Sequence, residues 1–162
     1  MDSETERGIE WDCQKVLRQY YHYVDQRKYE KATALFTPDV DWEVMGLRVT
    51  SHEDMLEALK KSLGNDTIRH VLTNTVVTVV DENHANARSY NTLYYTAGAR
   101  IEDQVEPLPF EGPHRTHDGY AELIRTDDGW KISKRRSQII FRRNPDEPVT
   151  LETWSRSVGK AV

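Results

Sequence analysis

Residues 68–80 read IRHVLTNTVVTVV, a run rich in valine and threonine, which are residue types enriched in β-strands. Three later segments have the same strand-like character: residues 85–97, 114–125 and 130–142. Turn-forming residues separate two pairs of these segments, Asp81-Glu82-Asn83 in the first pair and Asp127-Asp128-Gly129 in the second. The second half of the chain is therefore predicted to form a run of four antiparallel strands.

The segments before these strands have helical spacing. Apolar residues recur three and four positions apart from about residue 5 to residue 26, which predicts one long helix. A second helix is predicted over residues 29–36, because Pro38 disfavours helical backbone at the residue before it. Residues 40–44 then alternate apolar and acidic side chains, which is typical of a half-buried strand.

Ser51 followed by Asp54 has the form of a helix-opening capping box. The helix that it opens is predicted to run to Leu63, where Gly64-Asn65 ends it. Two to three helices followed by a run of strands predict an α+β fold, with the helices packed on one face of a curved sheet.

The composition is that of a globular protein, since 37% of the 162 residues are hydrophobic and 30% are charged. We predict a single domain over residues 1–162, with residues 1–9 and 144–162 as terminal extensions. Residues 101–113 contain three prolines and four acidic residues, which predicts a loop that could act as a flap over a pocket.

Several classes of function are disfavoured by the composition. The net charge of −5 argues against a nucleic-acid-binding protein, which usually presents a basic face. No apolar run approaches the roughly 20 residues of a membrane span, and no secretory signal is visible at the N-terminus. The single cysteine, Cys13, excludes an internal disulfide and favours a reducing, cytoplasmic setting.

Four sequence segments carry a resemblance to a known family: YVDQRKYE at residues 23–30, LFTPDVDW at 35–42, RHVLTN at 69–74, and the hairpin at 119–132. Over residues 10–141 the chain resembles the SnoaL-like branch of the NTF2-like superfamily. The resemblance implies a cone of curved mixed or antiparallel sheet, wrapped by about three N-terminal helices around a cavity for one small molecule.

The nearest functional likeness within that superfamily is to scytalone dehydratase and hexachlorocyclohexane dehydrochlorinase, which use a pocket histidine as a base held by an aspartate of the first helix. Asp25 and His70 match these two residues. Val24 replaces the tyrosine that precedes the aspartate in scytalone dehydratase, and the second pocket histidine of that enzyme falls near Tyr95. A histidine suits proton abstraction near neutral pH, and a carboxylate on its other ring nitrogen fixes the tautomer.

The other candidate residues are those expected to bind the substrate: Tyr23, Trp42, Asn74, Tyr95, Tyr120 and Arg136. Strand alternation predicts that His70, Leu72 and Asn74 share the cavity face. The opposite, outer face is expected to carry Val77 and Val79 and to form a homo-oligomer, either a dimer or a trimer.

The predicted function is a cofactor-independent lyase or isomerase, with dehydration ranked first, acting on a small cyclic or polyketide-like substrate. The alternatives are a polyketide-type cyclase and a non-catalytic module, such as the small subunit of an aromatic-ring dioxygenase or a ligand-binding protein. No metal is expected: His114 and His117 could be ligands, but positions three apart on a strand face opposite sides.

Overall fold

The computed structural model describes residues 1–44, 46–63, 66–98, 106–109 and 112–144. Most of the predicted loop at 101–113, and the predicted extension after residue 144, lie outside this range. The helices are α1 (Ser3–Asp25), α2 (Tyr29–Thr33) and α3 (His52–Leu63). The strands are β1 (Phe36–Val44), β2 (Leu47–Val49), β3 (Thr67–Val79), β4 (His84–Thr96), β5 (Arg115–Thr126) and β6 (Gly129–Arg142).

The strands form one curved, mixed sheet of six strands in the order β2-β1-β6-β5-β4-β3. Strands β3 to β6 form the predicted antiparallel run, and β1 adds to it in parallel with β6. The predicted α+β fold, with N-terminal helices on a curved sheet, is confirmed.

Helix α1 begins at an aspartate cap, because Asp2 accepts hydrogen bonds from the backbone N–H groups of Glu4 and Thr5. Its buried residues lie on one stripe at helical spacing: Ile9, Cys13, Val16, Leu17, Tyr20, Tyr21 and Val24. This stripe packs across β3, β4 and β6. We call the side of the sheet against α1 the inner face, and the opposite side the outer face.

The second helix is shorter than predicted and the first strand is longer. Helix α2 ends at Thr33, and Phe36 is already paired with Ile132 of β6. Phe36 therefore belongs to the sheet, because its ladder partner and its burial in the core outweigh the helical spacing of the preceding residues. The short strand β2 was not predicted; it pairs antiparallel with the end of β1.

Irregularities in the ladders reverse which residues face inward, and two of them bear on the predicted residues. In β3 the register shifts between Thr73 and Val76, around Asn74, whose φ of 49° lies in the left-handed region. Val77 is consequently buried on the inner face and Val79 packs against the core, so the prediction that these two valines lie on the outer face was wrong. In β6 the ladder with β5 shifts at Ser133, between Ile132 and Lys134.

Within the described ranges, no helix is both long enough and apolar enough to cross a membrane.

Candidate active site

Asp25 and His70 are in contact beneath helix α1. His70 Nδ1 lies 2.5 Å from Asp25 Oδ1, and the backbone N–H of His70 donates to Asp25 Oδ2 at 2.9 Å. The side chains are 9% exposed for Asp25 and 13% exposed for His70. Both carboxylate oxygens of Asp25 are therefore occupied by one residue, which fixes the position and rotation of the imidazole ring.

Hydrogen bonds between the end of α1 and the start of β3 hold this contact in place. Asp25 is the last residue of α1, and Arg27 adopts a left-handed φ of 55° just beyond it. Arg27 Nη2 donates to the backbone carbonyl of Asp66, and Arg69 Nη1 donates to the backbone carbonyl of Asp25 at 3.3 Å. The end of the helix is thus tied to the start of the strand on both sides of the aspartate.

Tyr21 and Arg135 extend the site along the inner face. The rings of Tyr21 and His70 lie 4.8 Å apart between centroids, and Arg135 Nη2 donates to the Tyr21 hydroxyl. The Arg135 guanidinium also lies over the rings of Tyr21 and Tyr20, at 5.1 and 5.9 Å. One tyrosine therefore contacts both the candidate base and a buried positive charge.

Strands β4, β5 and β6 add further polar side chains to the inner face: the buried Ser89, Asn91 and His117, and the half-buried Ser137. His117 Nδ1 lies 3.0 Å from Ser137 Oγ, and Asn91 pairs with His117 across the ladder. Burial, together with the positive charges of Arg115, His70 and His114, lowers the pKa of His117 to about 4 from its ordinary 6.5. His117 is therefore neutral at neutral pH and available as a hydrogen-bonding group.

The lowered pKa of His117 predicts acid sensitivity. The unfolded chain binds a proton at this residue below pH 6.5 and the folded chain does so only near pH 4, so stability falls as the pH drops through this interval. We expect a loss of about 3 kcal/mol in the free energy of unfolding from this group. Urea denaturation of the wild type and of His117→Asn at pH 7 and pH 4 measures it. The same pH dependence in both proteins would contradict the assignment.

Two of the predicted substrate-binding residues lie on the same face as His70. Trp42 is buried on β1 opposite Arg135. Tyr95 is paired with Ile68 and so shares the His70 face, but it lies toward the edge, where its hydroxyl donates to Asp66.

The other four predicted substrate-binding residues are not brought to His70. Tyr120 and Arg136 pair with each other on the outer face, because the irregularity at Ser133 turns Arg135 inward instead. Asn74 is exposed at the irregularity in β3. The Tyr23 ring packs near His22, and Tyr21, two positions earlier, is the tyrosine of α1 that contacts His70.

Arg135, Tyr21, His117 and Asn91 are the inner-face residues that sequence reasoning missed. The helical spacing of Leu17, Tyr21 and Val24 could have placed Tyr21 inward. For Arg135 no such signal exists, since strict alternation from the buried Trp130 and Ile132 places Lys134 and Arg136 on that side.

In the described parts of the chain, no group of three histidine, cysteine, aspartate or glutamate side chains is placed to hold an ion. His114 stacks against Tyr95, with 4.9 Å between ring centroids, and His117 lies inside. The polar groups of the inner face are those suited to acid–base chemistry and to hydrogen bonding with an organic molecule.

Comparison with known proteins places the chain by sequence. The model of a family described as a SnoaL-like domain matches residues 9–136. Uncharacterized proteins of Mycobacterium tuberculosis and Mycobacterium bovis are 28% identical over 148 residues, which cover 88% of this chain and 93% of each relative.

Solved structures agree on the fold. A protein of unknown function from Mycobacterium tuberculosis matches with a TM-score of 0.73 and 21% identity, over 98% of this chain and 90% of that one. A Novosphingobium aromaticivorans protein provisionally named a scytalone dehydratase matches with a TM-score of 0.69 and 17% identity, over 86% and 89%. An NTF2-like protein with a cystatin-like fold from the same organism matches with a TM-score of 0.67 and 19% identity, over 80% of both chains.

Proposed function

The chain belongs to the SnoaL-like domain family, and from this membership and the Asp25–His70 contact we propose that it is a cofactor-independent lyase or isomerase acting on a small cyclic or polyketide-like molecule. Dehydration is the reaction that we rank first. His70 is the proposed base, and Asp25 is the residue that positions it.

The contact with Asp25 sets the proposed role of each ring nitrogen. A carboxylate accepts hydrogen bonds, so the Asp25 oxygen at 2.5 Å places the ring proton on Nδ1. Nε2 then keeps its lone pair and can take a proton from carbon. The imidazolium that forms is stabilised by Asp25 and by the negative end of the α1 dipole, since Asp25 is the last residue of that helix.

The proposed elimination is balanced within the site. His70 Nε2 takes a proton from the carbon next to a carbonyl group, and the electron pair of that C–H bond forms the new C=C bond. The C–O bond at the neighbouring carbon breaks, and the departing hydroxyl receives the proton from the imidazolium and leaves as water. His70 returns to its neutral form, so the reaction consumes no cofactor.

The mixture of aromatic and polar side chains on the inner face supports an organic substrate. Tyr20, Tyr21 and Trp42 are buried aromatic residues there, while His117, Asn91 and Ser137 add a few hydrogen-bonding groups. Small-molecule sites generally combine these two features. The observation that carries the proposal remains the buried Asp25–His70 contact, because neither residue is needed there to complete an apolar core.

A product screen tests the proposal. Cyclic β-hydroxy ketones, each prepared with and without a carboxylate substituent, are incubated with the protein, and the conjugated enone is followed by its ultraviolet absorbance. We expect at least one member of the panel to lose water at a rate proportional to enzyme concentration. The proposed function would be contradicted if the protein dehydrates no member of the panel. It would also be contradicted if the wild type and His70→Ala dehydrate the panel at the same rate.

We also propose that the protein is a homo-oligomer that associates through the outer face. Val71, Thr92, Thr116 and Phe141 are paired in a row across β3, β4, β5 and β6. Val71 and Phe141 at the ends of this row are exposed, as is Tyr90 near it. Burying such apolar surface between two or three copies would be favourable.

Light scattering tests this assembly. We expect a mass of two or three times the 18.9 kDa chain, and a shift toward the monomer in Phe141→Asp. Trp11→Asp is the matched control, because Trp11 is a similarly exposed aromatic residue on helix α1. A monomer mass for the wild type over a wide range of concentrations would rule the assembly out.

A further inference from the structure

Arg135 is a positive charge buried without a negative partner. The residue is only 2% exposed, and this burial lowers the pKa of its guanidinium. Its hydrogen bonds go to the Tyr21 hydroxyl and, at 3.4 Å, to the backbone carbonyl of Tyr120. In the part of the chain that the structure describes, no carboxylate lies within ion-pair distance of it. An unpaired buried charge of this kind costs several kcal/mol.

The fold makes room for this charge on the inner face. A Cβ atom on Gly119 would come within 3.0 and 3.1 Å of the two terminal nitrogens of Arg135 and within 3.1 Å of Ser89 Oγ. A larger residue at this position would push the guanidinium by a few tenths of an ångström from its present position. The irregularity at Ser133 turns the side chain inward, whereas the next residue, Arg136, is half-exposed on the outer face. Without this irregularity, strand alternation would place the Arg135 side chain on the outer face, exposed to water.

The position of Arg135 relates it to the candidate base. Tyr21 contacts the His70 ring on one side and accepts a hydrogen bond from Arg135 on the other. On the same face, Asn91 is 4% exposed, and its side-chain oxygen has no hydrogen-bond partner among the described residues. The inner face therefore holds both a donor group without a counter-ion and a polar atom without a partner, close to His70.

We propose that Arg135 is an anion-binding residue and that the substrate carries a carboxylate, which Arg135 holds while the acidic carbon faces His70. This inference rests on the proposed function for the role of His70, and it narrows the substrate class to organic acids. The planar guanidinium offers paired N–H groups that match the two oxygens of a carboxylate. Binding of the carboxylate supplies the missing counter-charge, and the surrounding aromatic rings exclude water from the pair.

Paired probes test the inference without knowledge of the natural substrate. Benzoate is compared with benzamide, and 1-naphthoate with 1-naphthamide, by isothermal titration calorimetry on the full-length protein. The members of each pair have nearly the same shape and differ in charge. We expect the wild type to bind at least one carboxylate about tenfold or more tightly than its amide, a difference of about 1.4 kcal/mol. The absence of a carboxylate preference in both pairs would overturn the inference.

Variants assign the preference to Arg135. Arg135→Met should abolish it, and Arg135→Lys should reduce it, because lysine keeps the charge but loses the paired geometry. Arg136→Met is the matched control, since Arg136 is the neighbouring arginine on the outer face, and it should bind as the wild type does. A preference that persists in Arg135→Met would overturn the inference. If Arg135→Met does not fold, the comparison of Arg135→Lys with Arg136→Met decides, and equal binding by those two would count against it.

Stability distinguishes a binding role from a structural one. Replacing an unpaired buried charge by an apolar side chain of similar length should leave the thermal midpoint unchanged or raise it. A large fall in the midpoint of a folded Arg135→Met, with carboxylate binding intact, would mean that Arg135 is a structural residue.

The carboxylate site and the proposed function can fail separately. His70→Ala should keep the preference for benzoate over benzamide while losing turnover. If neutral ketones are turned over in a His70-dependent way and no carboxylate preference is found, the anion-site inference alone is wrong. If the protein prefers carboxylates but eliminates water from no member of the panel, the lyase proposal is wrong and the anion-site inference is supported.

Discussion

His70→Ala is expected to lower the rate of elimination by about two to four orders of magnitude, the contribution of a positioned general base. The fold should survive, because the His70 side chain makes its hydrogen bond with Asp25 and its ring contact with Tyr21, and it lies beside the apolar core. Steady-state kinetics on the substrate found in the product screen measures the loss, and circular dichroism checks the fold.

A second histidine provides the control for this substitution. His84 Nδ1 lies 2.9 Å from both carboxylate oxygens of Asp81, so it repeats the histidine–aspartate contact on the exposed surface. His84→Ala should leave the rate unchanged. Full activity in His70→Ala would remove His70 as the base and put the ligand-binding module ahead of the enzyme.

Asp25→Asn is expected to have the second-largest effect. The asparagine side chain is nearly the same size, but it carries no charge to stabilise the imidazolium and can present an N–H to Nδ1, which disfavours the tautomer that leaves Nε2 free. The rate should fall by about two orders of magnitude or more. Because the substitution also changes the bond to the His70 backbone N–H, a modest loss of stability should accompany it.

The double variant tests whether the two residues act as one unit. Asp25 acts through His70, so the loss in Asp25→Asn with His70→Ala should be close to that in His70→Ala alone. A double variant as poor as the product of the two single losses would show independent roles.

The sequence predicted most of the helices and strands, and the Asp25–His70 contact, for a physical reason. Helical spacing in α1 and the valine- and threonine-rich strands are local signals that tertiary contacts reinforce here. Asp25 and His70 were found through a family resemblance, and their contact follows from a helix end tied to a strand start.

Two of the misplaced residues share a cause. Asn74 and Val77 were assigned to a face by strict alternation, and both lie at or beyond the irregularity in β3 that reverses the faces. Arg136 likewise lies beyond the irregularity at Ser133, which turns it to the outer face. Such irregularities depend on the neighbouring strand, so the sequence of a single strand carries no signal for them. The same effect hid Arg135, the residue that most narrows the substrate class.

Deuterium exchange is the most direct test of His70 as the base. The substrate found in the screen, or its ketone analogue lacking the leaving hydroxyl, is incubated with the protein in heavy water and followed by proton NMR. The wild type should replace the acidic C–H by C–D at a rate proportional to enzyme concentration, and His70→Ala should do so at least a hundredfold more slowly, in line with the contribution of a positioned base. Exchange at the wild-type rate in His70→Ala would contradict the assignment of His70 as the base.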